Sequence, residues 1–273
     1  MASWRSIRLL ADAAHPGPTA VVTSLAALLG YRSGVRRGRL LTLVGAVLTG
    51  QLTIGWSNDL IDRRRDELAG RRDKPLATGE LSPRAATAAL GIATAATAGL
   101  SGRCGRRAGF VHGVLVVGSG WIYNVWLKQT PASFAPYAVA FGALPQVATL
   151  SAVPSRVERS SLSLAGALLG VGAHLLNALP DLETDRLTGV RGLPSRMTSP
   201  QLRAGAATCL FAAAPAALRG APVGGRDRAG WLIGSGLLGA GIALGRGAVP
   251  FYCAAGSALL DAAALVRSSP LPG

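Results

Sequence analysis

Long apolar runs separated by short basic stretches restrict the fold of this chain more than any other feature. Nine such segments lie at about 17–31, 40–57, 83–101, 108–127, 133–153, 161–180, 201–219, 229–245 and 248–267. Several approach the roughly 20 residues that a helix needs to cross a bilayer, and they are not patterned as amphipathic stripes. Because hydrocarbon offers no water to the backbone, helices are the structure that fits such runs. We expect an all-α polytopic membrane protein with about nine transmembrane helices.

The composition agrees with a membrane protein and does not favour nucleic-acid binding. Hydrophobic residues make up 49% of the chain and charged residues only 15%, while the net charge is +15. The basic residues lie between apolar segments, as in membrane loops, and no basic face carries stacking aromatic side chains. We therefore expect a lipid bilayer and no nucleic acid as partner. Residues 1–16 mix Trp4, Arg5 and Arg8 with apolar positions and lack a signal-peptide cleavage pattern, which favours an interfacial helix.

Acidic and amide side chains are concentrated after the second apolar segment. Asn58, Asp62 and Asp66 are spaced at i, i+4 and i+8, so a helix here would place all three on one face. Such an oxygen-rich face suits Mg2+, which commonly takes one or two protein carboxylates and fills its other positions with water and phosphate oxygens. For this stretch alone, a solvated helix with i, i+4 ion pairs is an equally good interpretation.

A second stretch with the same spacing favours the binding site. An offset of 119 residues aligns Asn58 with Asn177, Asp62 with Asp181, Asp66 with Asp185, Gly70 with Gly189, Arg72 with Arg191 and Pro75 with Pro194. Four apolar segments separate the two stretches, and an even number of crossings returns the chain to the same membrane face. We interpret the pattern as an internal duplication, with halves of about 1–128 and 129–273, whose acidic ridges face each other.

These residues resemble the UbiA superfamily of intramembrane prenyltransferases. The Asn-Asp-x-x-Asp-x-x-x-Asp motif that follows the second helix in that family is matched at residues 58–66. Its Asp-x-x-x-Asp motif after the sixth helix is matched at residues 181–185, preceded by Asn177. The resemblance extends over essentially the whole chain, as a single domain of residues 1–273. It implies nine helices around a central cavity, two Mg2+ ions held by the two motifs, with Mn2+ as a possible substitute, and a prenyl diphosphate donor.

The residue chemistry and the resemblance together define a candidate site. Candidate metal ligands are Asn58, Asp62, Asp66, Asn177, Asp181 and Asp185, and the four aspartates are also the candidate catalytic residues. Candidate diphosphate contacts are Arg72, Lys74, Lys128, Arg191 and Tyr123. Two metal ions with neighbouring cations would neutralise a leaving diphosphate, and an apolar cavity would keep the remaining allylic cation away from water.

Three positions depart from the family pattern. The family often has Tyr-x-x-x-Lys after its fourth helix, whereas here one additional residue separates Tyr123 from Lys128. An Arg-Pro pair after the first motif is Lys74-Pro75, which keeps the charge but not the planar fork of a guanidinium. Another Arg-Pro pair near the first helix corresponds to His15-Pro16. The extra residue leaves two roles open for Tyr123, a diphosphate contact or an aromatic cavity wall.

Two isolated polar positions lie within apolar segments. His174 precedes Asn177 by about one turn and would face the cavity mouth in a helix, although a single histidine is more often a hydrogen-bonded packing residue. Asp261 lies inside the last segment, and an intramembrane acid is a functional candidate by default unless it pairs with a cation near the helix ends.

Several functions are compatible with this pattern. The leading prediction is transfer of an allylic polyprenyl group from its diphosphate to an aromatic or other lipophilic acceptor. A cyclase of the same family would need no acceptor, and a related branch uses a phosphoribosyl donor with a lipid-phosphate acceptor. A polytopic cation-coupled transporter is the alternative of a different class, but it would spread ionisable groups along its helices at mid-membrane depth. We expect an integral protein of the cell membrane with the acidic motifs on its cytoplasmic face.

Overall fold

The computed structural model describes residues 4–155, 160–219, 225–245 and 249–267, and over these residues the chain is helical and contains no strand. The first helices are α1 (Trp4–Asp12), α2 (Pro16–Arg32), α3 (Arg37–Leu68) and α4 (Pro83–Arg103). A continuous rod follows, made of α5 (Arg106–Phe110), a π-helical segment (Val111–Val117) and α6 (Gly118–Val125). The remaining helices are α7 (Ala135–Leu150), α8 (Ser160–Asn177), α9 (Leu182–Leu187), α10 (Ser199–Leu218), α11 (Gly225–Leu244) and α12 (Val249–Arg267). The all-α prediction is confirmed.

Several of these helices have the length and composition of membrane spans. Within the described residues, four are long and apolar enough to cross a bilayer: Arg37–Leu68, Pro83–Arg103, Arg106–Val125 and Ser160–Asn177. Large apolar side chains such as Ile92 and Phe211 are exposed on the outer surface. Water would disfavour so much exposed apolar surface, whereas lipid accommodates it. The chain is an integral membrane protein.

The first acidic stretch is part of the longest helix. The helix α3 continues to Leu68, beyond the predicted apolar segment, so that Asn58, Asp62 and Asp66 lie on one helical face as the spacing predicts. Gly70 ends the helix in the left-handed conformation, at φ 66°. In that conformation the N–H of residue 71 returns to the carbonyl of Asp66, which is the usual glycine-terminated helix end.

The second acidic stretch does not form a continuous helix, and the prediction of an uninterrupted i, i+4, i+8 face is wrong there. The helix α8 ends at Asn177, and Asp181 and Asp185 follow in a turn and in the short helix α9. Pro180 explains the break, because proline lacks the N–H for the helical hydrogen bond and its ring clashes with the preceding turn. Gly189 then ends α9 at φ 76°, as Gly70 ends α3.

The helices α7 and α8 approach each other closely because α8 presents glycines at the contact. A Cβ atom at Gly166 would meet the carbonyl of Phe141, and one at Gly170 would meet the carbonyl of Tyr137. Small residues allow membrane helices to pack at short distance. His174 lies one turn beyond Gly170 on the same face of α8, so this contact brings the two aromatic side chains, Tyr137 and His174, together inside the protein.

We expect Gly170→Ala to destabilise the protein by about 1–3 kcal/mol, the usual cost of overpacking, because the new methyl group would collide with backbone. Gly91→Ala is the matched control, since no atom lies within 4 Å of a Cβ atom built at this exposed position of α4. Alanine favours a helix over glycine, so the control should leave stability unchanged or raise it slightly. Thermal unfolding in detergent measures both, and equal melting temperatures would contradict the close helix contact.

Candidate active site

A cavity of about 430 Å³ lies between the long helices. Its apolar wall includes Val22 of α2, Phe141 of α7, Leu169 of α8 and Ala255 of α12. Its charged and amide lining includes Asn58, Asp62, Arg65, Asp66, Arg71, Asp73, Lys74, Asn124, Lys128, Asn177, Asp181 and Asp185. These polar residues come from the end of α3, the end of the α5–α6 rod, the end of α8 and the connections that follow. All six candidate metal ligands therefore line one cavity.

Two cations neutralise the carboxylate of Asp62. Lys128 Nζ and Arg65 Nη2 both donate to Asp62 Oδ2, the second over 3.1 Å. The same Arg65 nitrogen lies 3.6 Å from Asp66 Oδ1. Arg65 is placed by its position on α3, three residues after Asp62, whereas Lys128 reaches across from the chain that follows α6. The first acidic stretch is thus compensated by cations from two different elements.

Arg71 connects the loop after α3 to the second acidic stretch. Its Nη1 donates to Asp181 Oδ1 over 2.7 Å, and its Nε and Nη2 donate to the two carboxylate oxygens of Asp73 over 2.9 and 2.7 Å. These hydrogen bonds lower the pKa of Asp73 to about 2. The hydrogen bond with Asp73 and the charge of Asp181 raise the pKa of the Arg71 guanidinium. Gly70, in its left-handed conformation, determines the direction of the chain at Arg71 and so brings the guanidinium within reach of Asp181.

Asp185 differs from the other aspartates that line the cavity because no hydrogen bond or ion pair from a described residue reaches its carboxylate. Burial raises the pKa of Asp185, while the charges of Arg65 and Lys128 act in the opposite direction. The backbone around it repeats the geometry of Asp66, since the N–H of Val190 bonds to the carbonyl of Asp185 over 2.8 Å. Asp185 therefore offers free carboxylate oxygens at the cavity wall.

A second ion-pair cluster holds Lys74. Asp59 is 1% exposed, and its Oδ1 accepts a hydrogen bond from Lys74 Nζ. The same oxygen lies 3.1 Å from His15 Nε2, and Lys74 Nζ lies 3.2 Å from that nitrogen. His15 joins α1 to α2 at φ 51°, a left-handed conformation that is uncommon outside glycine. The cluster fixes the ammonium group of Lys74 at the cavity wall and couples it to the α1–α2 junction.

Three aromatic rings meet at the cavity wall beside the acids. The ring of Tyr137 packs edge-on against Tyr123 at 5.1 Å and lies 4.8 Å from the ring of His174. His174 Nε2 lies 3.0 Å from Ser133 Oγ, and that hydroxyl also accepts the N–H of Leu193 over 3.0 Å. The hydroxyl hydrogen of Ser133 remains for His174 Nε2, which fits a neutral imidazole. Tyr123 thus contributes an aromatic face to the cavity wall.

The structure separates the predicted diphosphate contacts into two groups. Lys74, Lys128 and Tyr123 line the cavity. Arg72 and Arg191 are exposed and do not line it. The side chain of Asp261 lies outside the described residues.

Sequence reasoning missed several residues that line the cavity, among them Arg65, Arg71, Asn124 and Tyr137. Arg65 could have been found, because a spacing of i, i+3 from Asp62 places it on the same side of the helix. The choice between Arg71 and Arg72 depends on the turn at Gly70, and no spacing rule reveals it. Asn124 and Tyr137 carry no motif of their own and become visible only when α6 and α7 are packed against α3 and α8.

The donor set of the cavity fits a hard divalent cation. All candidate ligands offer carboxylate or amide oxygens, which Mg2+ prefers. No three His, Cys, Asp or Glu side chains of the described residues form a single compact ligand group. The acids come instead as two pairs, Asp62 with Asp66 and Asp181 with Asp185. Because Mg2+ commonly takes only one or two protein carboxylates and fills its other positions with water and phosphate oxygens, a carboxylate pair of this kind fits such an ion.

The chain is similar to proteins of known fold over nearly its whole length. The model of the UbiA prenyltransferase family matches residues 19–250. The apo structure of a UbiA homolog from Aeropyrum pernix K1 is 17% identical, with a TM-score of 0.74 over 91% of this chain and 97% of that chain. A UbiA homolog from Archaeoglobus fulgidus bound to GPP and Mg2+ is 13% identical, with a TM-score of 0.67 over 95% and 98%.

A structure of digeranylgeranylglyceryl phosphate synthase is also similar, with 13% identity and a TM-score of 0.63 over 97% of this chain and 98% of that chain. No curated protein matches the sequence.

We expect Arg71→Ala to weaken the binding of inorganic pyrophosphate about tenfold, because one hydrogen bond to a charged group contributes about 1.5–3 kcal/mol. The neighbouring Arg72→Ala is the matched control, since it removes the same charge from an exposed side chain off the cavity. Calorimetric titration of the purified protein with pyrophosphate in the presence of Mg2+ compares the variants. Equal losses in both would show that net charge, and not position, governs anion binding.

Proposed function

Because the chain belongs to the UbiA prenyltransferase family, we propose that it transfers a prenyl group from an allylic diphosphate to a lipophilic acceptor inside the membrane. The observation that carries this proposal is the composition of one cavity. Five carboxylates, among them the two candidate metal-binding pairs, and four lysine and arginine side chains lie beside an apolar space. An allylic diphosphate has the same division, with a charged head and an apolar tail. The GPP and Mg2+ bound to the Archaeoglobus fulgidus homolog support this donor class.

The carboxylate pairs are proposed to hold two Mg2+ ions, or Mn2+ in their place. Asn58 is proposed as a further ligand of the ion that Asp62 and Asp66 hold. Asn177 has the same proposed role for the ion held by Asp181 and Asp185. When bound, the ions supply neutralisation of the diphosphate charge, which favours its departure as a leaving group.

Four cations of the chain are proposed to bind the same diphosphate. They are Arg65, Arg71, Lys74 and Lys128, which line the cavity and each contact a carboxylate of the chain. Phosphate oxygens are equally good acceptors for these groups, so the cations can turn from carboxylate to phosphate without leaving the site. Arg72 and Arg191 are proposed to lie at the rim and to contribute only to the general positive charge.

The apolar part of the cavity protects the allylic cation that remains after the diphosphate departs. The rings of Tyr123 and Tyr137 line the cavity beside the acids, and an aromatic face attracts a cation without reacting with it. Phe141 and Leu169 continue the apolar wall and exclude water. The acceptor is proposed to be an aromatic or other lipophilic molecule, because it has to enter the same apolar space.

We also propose how the chain is arranged in the membrane. We place nine helices across the membrane of the cell, with both acidic stretches on the cytoplasmic face. Gly70 and Gly189 support an internal duplication, since each ends an acid-bearing helix in the left-handed conformation and both are related by the same sequence offset.

The proposed activity is tested with purified protein in detergent, Mg2+ and allylic diphosphates of increasing chain length, with and without a cell lipid extract. We expect a prenylated product whose formation requires both the extract and the metal, stops with chelator and resumes with Mn2+. A cyclised product without extract would instead identify a cyclase. If no allylic diphosphate is consumed under any of these conditions, the proposed function is wrong.

We expect Asp62→Ala and Asp181→Ala each to abolish turnover nearly as completely as the double variant. Residues that act as one unit lose function non-additively, and both ions bind one diphosphate in this proposal. Glu183→Ala is the matched control, because this acid lies between Asp181 and Asp185 in sequence but is exposed and off the cavity. Substantial activity in Asp62→Ala, with none in Asp181→Ala, would rule out the two-ion arrangement.

A further inference from the structure

Asn124, near the end of α6, is 6% exposed and has hydrogen-bond partners on both sides of its carboxamide. Its Nδ2 donates to the backbone carbonyl of Ile54 and to Ser57 Oγ, both over 2.9 Å. Its Oδ1 accepts a hydrogen bond from Asn58 Nδ2 over 3.2 Å. Asn124 therefore joins α6 to the first candidate metal ligand of α3. It stands four residues before Lys128, where the Tyr-x-x-x-Lys pattern has its tyrosine.

The surrounding groups allow only one orientation of the Asn124 carboxamide. A backbone carbonyl can only accept, so the amide nitrogen has to face Ile54. The hydroxyl hydrogen of Ser57 is already donated to that carbonyl over 3.0 Å, so Ser57 Oγ can only accept from Asn124. The Asn124 oxygen therefore faces Asn58. The flipped carboxamide would fit sterically, because nitrogen and oxygen have nearly the same size, but its hydrogen bonds would be lost.

This orientation determines that of the next carboxamide. Because Asn124 presents an oxygen, Asn58 has to present its nitrogen in return. The Asn58 oxygen is thereby kept off this contact, and no described residue donates a hydrogen bond to it. Asn58 lines the cavity together with Asp62 and Asp66. A free carbonyl oxygen beside two carboxylates is a donor arrangement that suits a hard cation.

We propose that Asn124 is a positioning residue that keeps the carbonyl oxygen of Asn58 available as a metal ligand. This inference rests on the proposed function, in which Asn58, Asp62 and Asp66 hold one ion. In this proposal Asn124 acts through Asn58 and is not itself a ligand of the ion. Without it, the Asn58 carboxamide is free to rotate and to present its NH2 group, which repels a cation. Groups that orient metal ligands typically change metal affinity by about 10–100-fold.

The test is a double-variant comparison of Mn2+ binding, measured in detergent from the electron paramagnetic resonance signal of free Mn2+ in the presence of inorganic pyrophosphate. We expect Asn124→Ala to weaken Mn2+ binding about tenfold in the otherwise unchanged protein. In the Asn58→Ala background the same substitution should have no further effect, because the ligand that it positions is gone. Ser57→Ala removes one of the two acceptors that hold the Asn124 amide nitrogen and leaves the Ile54 contact in place, so it should weaken binding less than Asn124→Ala does.

A wild-type affinity in Asn124→Ala, or an equal loss with and without Asn58, would overturn the positioning role. Thermal unfolding without metal shows whether each variant is folded. If Asn124→Ala does not fold, Ser57→Ala is compared in the otherwise unchanged protein and in the Asn58→Ala background. A loss of Mn2+ affinity only where Asn58 is present then supports the positioning role, and no loss or an equal loss overturns it. Asp62→Ala distinguishes this failure from failure of the proposed function. If Asp62→Ala binds Mn2+ as tightly as the wild type, the metal site itself is wrong, and the positioning role falls with it.

Discussion

The rest of the site depends on one constraint, the gathering of several carboxylates in a cavity enclosed by apolar helices. Like charges repel, and a partly buried carboxylate without a partner is costly. The chain meets this constraint with its own cations, Lys128 and Arg65 on Asp62 and Arg71 on Asp181. The compensating groups come from α3, from the chain after α6 and from the loop after α3. The ion pairs therefore also fix the relative positions of these elements.

The same constraint links stability to chemistry. Ion pairs between a carboxylate and a lysine or arginine stabilise the protein when no other ions are present, yet in the proposed function the same cavity groups bind a metal diphosphate. Arg71 illustrates this, because its guanidinium binds Asp73 and Asp181 together and so links the loop after α3 to the second acidic stretch. Binding of a metal diphosphate is expected to exchange these contacts rather than to create a new site. The carboxylate of Asp185 has no such partner among the described residues, so binding a metal ion there is not expected to displace a cation of the chain.

Much of the fold and part of the site could be predicted from the sequence, and the differences have physical causes. Apolar runs predicted helices, and the spacing of Asn58, Asp62 and Asp66 predicted their common face because α3 is continuous there. The same spacing failed at the second stretch, where Pro180 ends the helix. A spacing rule holds only within one regular element.

The remaining residues of the site depend on tertiary contacts, which no local pattern contains. The sequence pointed to Tyr123, one residue out of the Tyr-x-x-x-Lys register, while the position in register is occupied by Asn124. The role that we propose for Asn124 comes from its hydrogen bonds with Ile54 and Asn58 of α3. In the same way, Arg71 and not Arg72 lines the cavity, because the direction of the chain after Gly70 decides which side chain turns inward.

The central claim is that two acid pairs bind two ions on one diphosphate, and anomalous X-ray scattering tests it most directly. Crystals grown with Mn2+ and a non-reactive thio analogue of an allylic diphosphate should show two manganese peaks. The account predicts one peak beside Asp62 and Asp66 and the other beside Asp181 and Asp185, with the diphosphate between them. A single peak, or peaks away from both carboxylate pairs, would contradict the account.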